Sequence, residues 1–157
     1  MQATPPIKSQ SSQGWQSYNL DHIAQELVIT HRGSDVLSES HKMRLACPYG
    51  LERFWGEHLR FEGSKNSKDR AKAEYWKAVW KALAGILASA EITLPDGDCQ
   101  VRLNDQKNIK ATAKDIWNMD AADQRVALAV LIQLCDSLVW WTQRYKLDKD
   151  KPLTSED

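Results

Sequence analysis

The chain has 157 residues, 42% of them hydrophobic, and its 21 basic and 21 acidic side chains cancel. That length suits one domain with a sizeable core. The charge balance excludes a globally basic nucleic-acid binder, so any electrostatic function must rest on local segregation of charge. Cys47, Cys99 and Cys135 are odd in number and far apart, which fits reduced thiols better than a disulfide framework.

In chain order, residues 1–17 are polar, with Pro, Ser and Gln, and predict a flexible arm. They lack the apolar stretch of a signal peptide, so the expected location is cytoplasmic. Leu20 to Arg32 predicts a helix capped by Asn19, with Leu20, Ile23, Ala24, Leu27 and Val28 on one face. Ser34 to Ala46 is a weaker helix that Pro48 stops. Pro48 to Glu62 follows, with Leu51, Phe54, Trp55, His58 and Leu59 as its face and Gly56 as a local cost.

Lys68 to Glu91 predicts a long helix with Tyr75, Trp76, Val79, Trp80, Leu83, Ile86, Leu87 and Ala90 on one broad arc. Arg70, Lys77 and Lys81 fall opposite. Residues 92–103 hold the turn Pro95-Asp96-Gly97-Asp98 between two β-prone runs, which reads as a short hairpin or an irregular loop. Asn108 caps a shorter helix to Trp117. Asp120 then caps a helix to Lys146, with Ala127, Leu131, Leu134, Leu138, Trp141 and Tyr145 in one row. Leu128, Ile132, Cys135 and Val139 widen its apolar arc. Trp140 lies off the main row. Arg125, Asp136 and Arg144 interrupt this stretch, so no membrane span is expected. Residues 148–157 predict a frayed charged tail. The whole is expected to be all-α: residues 18–147 form one bundle of five or six helices.

The seven tryptophans serve core filling or, where exposed, an assembly interface. No catalytic motif is present. The four histidines are scattered without metal-ligand spacing, and Asp96 and Asp98 are explained by the turn around Gly97. No glycine-rich phosphate loop or nucleophile elbow occurs. No cofactor, metal or enzymatic activity is therefore expected.

Charge is segregated, however. From Arg53 to Lys81 there are eight basic residues against four acids, and Glu91 to Asp123 compensates with seven acids against four bases. Arg70 and Lys77 would stand about 10 Å apart along the helix axis, and Lys77 and Lys81 about 6 Å. Such spacing suits contacts to a phosphate backbone, which are salt-dependent and carry no sequence specificity. A solvated helix face explains the same residues.

Three features resemble the small helical subunit of type III CRISPR effector complexes. They are Gly50-Leu51 followed by Phe54, Trp55, Leu59, Phe61 and Ser64-Lys65; the long amphipathic helix Lys68 to Glu91; and Leu138 to Tyr145, an Ala/Leu-rich helix closing on Trp, Arg and an aromatic. The likeness spans about Tyr49 to Lys146. It implies a non-catalytic scaffold that stacks head-to-tail with copies of itself, alongside other subunits of the complex. It also implies contact with the guide and target RNA backbone through Arg53, Arg60, Lys65, Lys68, Arg70, Lys77, Lys81 and Arg144. Trp140 and Tyr145 are the expected protein-interface residues. The alternative is a helical adaptor that docks a protein partner through exposed tryptophans and binds no nucleic acid.

Overall fold

A computed structural model describes residues 17–147. The expected arm and tail fall outside these residues, apart from Ser17, which already belongs to the first helix. Among the described residues there are six α-helices and no strand: α1 Ser17–His31, α2 Glu39–Ala46, α3 Leu51–Glu62, α4 Ser67–Ala88, α5 Gln106–Trp117 and α6 Ala121–Tyr145. The all-α bundle is what the periodicity predicts.

Local chemistry sets the helix ends. The Asn66 side chain accepts from the Lys68 amide at 2.8 Å and starts α4. Asp120 accepts from the Ala122 amide at 2.8 Å and starts α6. Asp105, rather than Asn108, caps α5 by accepting from the Asn108 amide at 3.2 Å. Pro48 does not open α3. It sits in a 3-10 turn, Cys47–Tyr49, and α3 begins after Gly50. Gly50 has φ 98° and ψ 169°, a conformation that suits only glycine. The residues before α2 likewise form a short 3-10 turn, Arg32–Ser34, so α2 starts later than expected.

α6 is the central strut. α1 and α2 pack along it, α4 crosses it, and α3 lies along α4. Ala127, Leu131, Leu134 and Leu138 are completely buried, as the row predicts, while Trp141 and Tyr145 are half-buried at its end. Of the second row only Cys135 is buried. α6 is in fact long and apolar enough to cross a membrane by length and mean hydropathy, contrary to the sequence expectation. Its apolar row is spent on α1, α2 and α4 instead.

The hairpin does not form. Residues 89–105 make an irregular loop whose Ile92, Leu94 and Cys99 are buried. Side chains from the helices hold it. The Trp80 indole N–H donates to the Pro95 and Asp96 carbonyls at 3.3 and 3.0 Å, and the Trp55 indole donates to Asp96 Oδ2 at 2.9 Å. The Trp80 bonds satisfy loop carbonyls that strand pairing would otherwise have to satisfy. The exposed Leu103 side chain lies over Gly63 where the loop returns.

Candidate functional site

The expected basic face of α4 is interrupted at Lys77, while Arg70 and Lys81 on either side of it stay exposed. The Lys77 side chain is only 12% exposed and pairs with Glu62 and Glu74, each at 3.6 Å. Lys77 is thus a bridge from α4 to α3, not a solvent-facing cation. It fails as an open RNA contact because Glu62, a neighbour only in space, turns it inward. Lys68 pairs with Asp35 at 3.5 Å, and Arg60 pairs with Glu57 at 3.1 Å. Among the described residues Arg53, Lys65, Arg70, Lys81 and Arg144 are exposed and form no ion pair.

Arg53 belongs to a distinct arrangement. Its guanidinium lies 5.2 Å from the centroid of the Tyr49 ring, and Tyr49 is 66% exposed. Both border a cleft of about 350 Å³ between α2 and α3, lined also by Lys42, Leu45, Glu57 and Trp76. Arg60 continues the stripe, seven residues and about 10 Å further along α3, with its guanidinium 4.3 Å from the Phe61 ring centroid. An exposed ring beside cations is the kind of surface on which an unpaired base stacks while its phosphate meets a guanidinium. Composition hid Tyr49: it is one tyrosine next to a proline, outside any helix period.

The last turn of α6 repeats the pairing. The Arg144 guanidinium covers Trp140 at 3.8 Å from the ring centroid, and Trp140 is exposed. Trp140 therefore occupies the solvent-facing position that its offset from the core row predicts. Tyr145 does not. Its hydroxyl accepts from Gln25 Nε2 at 3.0 Å and its ring stacks on Trp141, so it belongs to the α1–α6 contact within this domain. Trp117 is also exposed, whereas Trp55, Trp76 and Trp80 fill the core.

The scattered histidines conceal a second cluster. His58, Asp96 and Cys99 each offer a ligand atom within 4.8 Å of the others. His58 Nδ1 donates to the Trp55 carbonyl at 2.5 Å, which leaves Nε2 as the lone-pair nitrogen. Cys99 Sγ stands 3.6 Å from Nε2. Burial, followed by the charge of Asp96, pushes the Cys99 thiol up to about 12. A thiol held neutral in this way is unsuited to thiolate nucleophilic catalysis. Cys99 also borders a polar cleft of about 280 Å³, lined by His31 and by the cations Lys77, Lys81 and Arg102, which Glu74 and Asp98 oppose.

The other two cysteines lie against each other. A hydrogen bond from Cys135, with Arg44 nearby, holds Cys47 below the ordinary thiol range, but both residues are completely buried. Comparison with protein-family models, with curated proteins and with solved structures finds no match to this chain.

Proposed function

We propose that the chain is a non-catalytic, RNA-binding structural subunit, of the kind its resemblance to the small subunit of type III CRISPR effector complexes implies. It would stack in copies along that cytoplasmic ribonucleoprotein and contact guide and target RNA without cleaving it. The carrying observation is the cleft between α2 and α3, where exposed Tyr49 lies beside Arg53 with Lys42 on the same rim. The proposed contact surface extends from α4, where Arg70 and Lys81 stay exposed without an ion pair, to α3, where Arg53 and Arg60 share one face, and it omits Lys77, which is tied to Glu62.

The test is anisotropy of a labelled single-stranded RNA titrated with the full chain over a range of salt. Tyr49→Ala combined with Arg53→Glu should weaken binding at least tenfold at low salt while the helical content stays unchanged. Equal affinity of the folded double variant would remove the cleft from the interface. Mass spectrometry of a native pull-down tests the assembly, with repeat-associated RNA-binding subunits and a short guide RNA as the expected companions.

A second reading, a protein adaptor without nucleic acid, is favoured by the exposed indoles of Trp117, 70% exposed, and Trp140, 47% exposed. Retention of one protein partner by a chain that fails to shift RNA would select it.

A further inference from the structure

We infer that His58, Asp96 and Cys99 form a binding site for one divalent cation of the zinc class, which ties the loop of residues 89–105 to α3. The donor set is an imidazole nitrogen, a thiolate sulfur and a carboxylate oxygen, the mixture that zinc accepts and magnesium or calcium does not. The separation of Cys99 Sγ from His58 Nε2, 3.6 Å, is the telling number. Ligands at about 2.3 Å for sulfur and about 2.0 Å for nitrogen subtend about 3.6 Å at a tetrahedral centre.

The surroundings prepare the site. The Trp55 carbonyl fixes the tautomer of His58 through Nδ1, the arrangement that outer partners give a metal-bound histidine. Asp96 is held by the Trp55 indole and by the Gln100 amide at 2.8 Å. Oδ2 also accepts from the Val101 amide at 3.4 Å, so Oδ1, with one hydrogen bond, is the oxygen that keeps a further lone pair. Asp96 and Cys99 both adopt left-handed backbone, with φ 48° and 52°, although neither is glycine. That conformation costs on the order of 1–3 kcal/mol per residue, and it gathers both side chains beside His58. His58 is 1% exposed and Cys99 6%, so the first two ligands are shielded from water. A turn around Gly97 accounts for Asp96 alone. The thiol and the imidazole already face each other through an S–H···N hydrogen bond, and a cation would replace the shared proton between them.

On binding, the Cys99 S–H bond breaks, a sulfur–metal bond forms and the proton leaves to solvent. No electron is transferred. Three protein ligands leave the fourth position to water.

The experiment uses the reduced full chain. Equilibrium dialysis against micromolar zinc followed by elemental analysis should give one equivalent per chain. Cobalt(II) in place of zinc should give a thiolate-to-metal charge-transfer band in the near ultraviolet and strong visible bands of a tetrahedral ion. Cys99→Ser should abolish the charge-transfer band, whereas Cys47→Ser and Cys135→Ser should keep it. Asp96→Asn should weaken binding by about tenfold or more. A wild-type cobalt spectrum without the thiolate band overturns the proposal, whether or not the variants fold. So does stoichiometric binding that survives Cys99→Ser. Neither result bears on RNA binding by the α2–α3 cleft.

Discussion

Ser40 is completely buried, and its hydroxyl lies 2.6 Å from the Tyr75 hydroxyl and 2.7 Å from Thr142 Oγ1. One small side chain thus joins α2, α4 and α6 at a single point. Removing it would strand two buried hydroxyls. Ser40→Ala should therefore cost about 1–3 kcal/mol, more than a typical surface hydrogen bond, and urea unfolding would measure it. The same network gives a pH dependence. Burial pushes the Tyr75 phenol up to about 12, against the hydrogen bonds from Ser40 and Thr142 that favour ionisation. The ordinary phenol ionises near pH 10. Between these values the unfolded chain gives up its proton and the folded chain holds it. The stabilisation is complete below about pH 10 and falls by about 1.4 kcal/mol per pH unit up to about 12. Tyr75→Phe should be less stable at neutral pH yet lose stability less steeply in alkali, as urea midpoints across that range would show.

At the scale of elements, the junction between α5 and α6 rests on one side chain. Gln124 Nε2 lies within reach of the Ile116, Trp117 and Met119 carbonyls, at 3.4, 3.0 and 2.9 Å, and so closes the C-terminal end of α5 from the first turns of α6. Gln124→Ala should cost about 1 kcal/mol and speed amide exchange in α5 more than in α6, because α5 buries only Thr112 and Ile116. Asp120→Ala should cost a similar amount through loss of the α6 cap. The helices themselves were legible in the sequence, since a row such as Ala127, Leu131, Leu134 and Leu138 has one period and one meaning. The loop was not. Ile92 and Leu94 look like alternating strand residues, but their partners are the core and the indoles of Trp55 and Trp80, which no local pattern reveals. His58 and Cys99 are separated by 41 residues, so their meeting depends on where that loop folds. Lys77 is enclosed for a related reason: helical phase places it opposite the apolar arc, but α3 brings Glu62 over it.

For the molecule as a whole, zero net charge means that no long-range field draws a polyanion in. On the proposed reading, RNA affinity comes from a few exposed cations at short range, Arg60 among them despite its pair with Glu57, and from aromatic faces. Those two sources respond differently to salt. Each phosphate neutralised by a cation releases condensed counterions, and for a single strand the slope of log K against log salt is about −0.7 per phosphate. If Arg53, Arg60 and one further exposed cation each meet a phosphate, the slope should be about −2. Arg53→Ala should then flatten it by about 0.7. A base stacked on Tyr49 releases no counterion, so Tyr49→Ala should lower affinity by the roughly 1–3 kcal/mol of one stacking contact and leave the slope alone. The pair Lys77→Glu and Lys81→Glu is a poor probe by comparison. Reversing Lys77 sets a second acid against Glu62, whose Oε2 is buried without a hydrogen-bond partner, and the loss would appear as unfolding. Affinity measured at four or five salt concentrations for wild type, Arg53→Ala and Tyr49→Ala therefore separates a charge contact from a stacking one. A slope that is the same in all three, with equal affinities, would show that RNA does not use the cleft between α2 and α3.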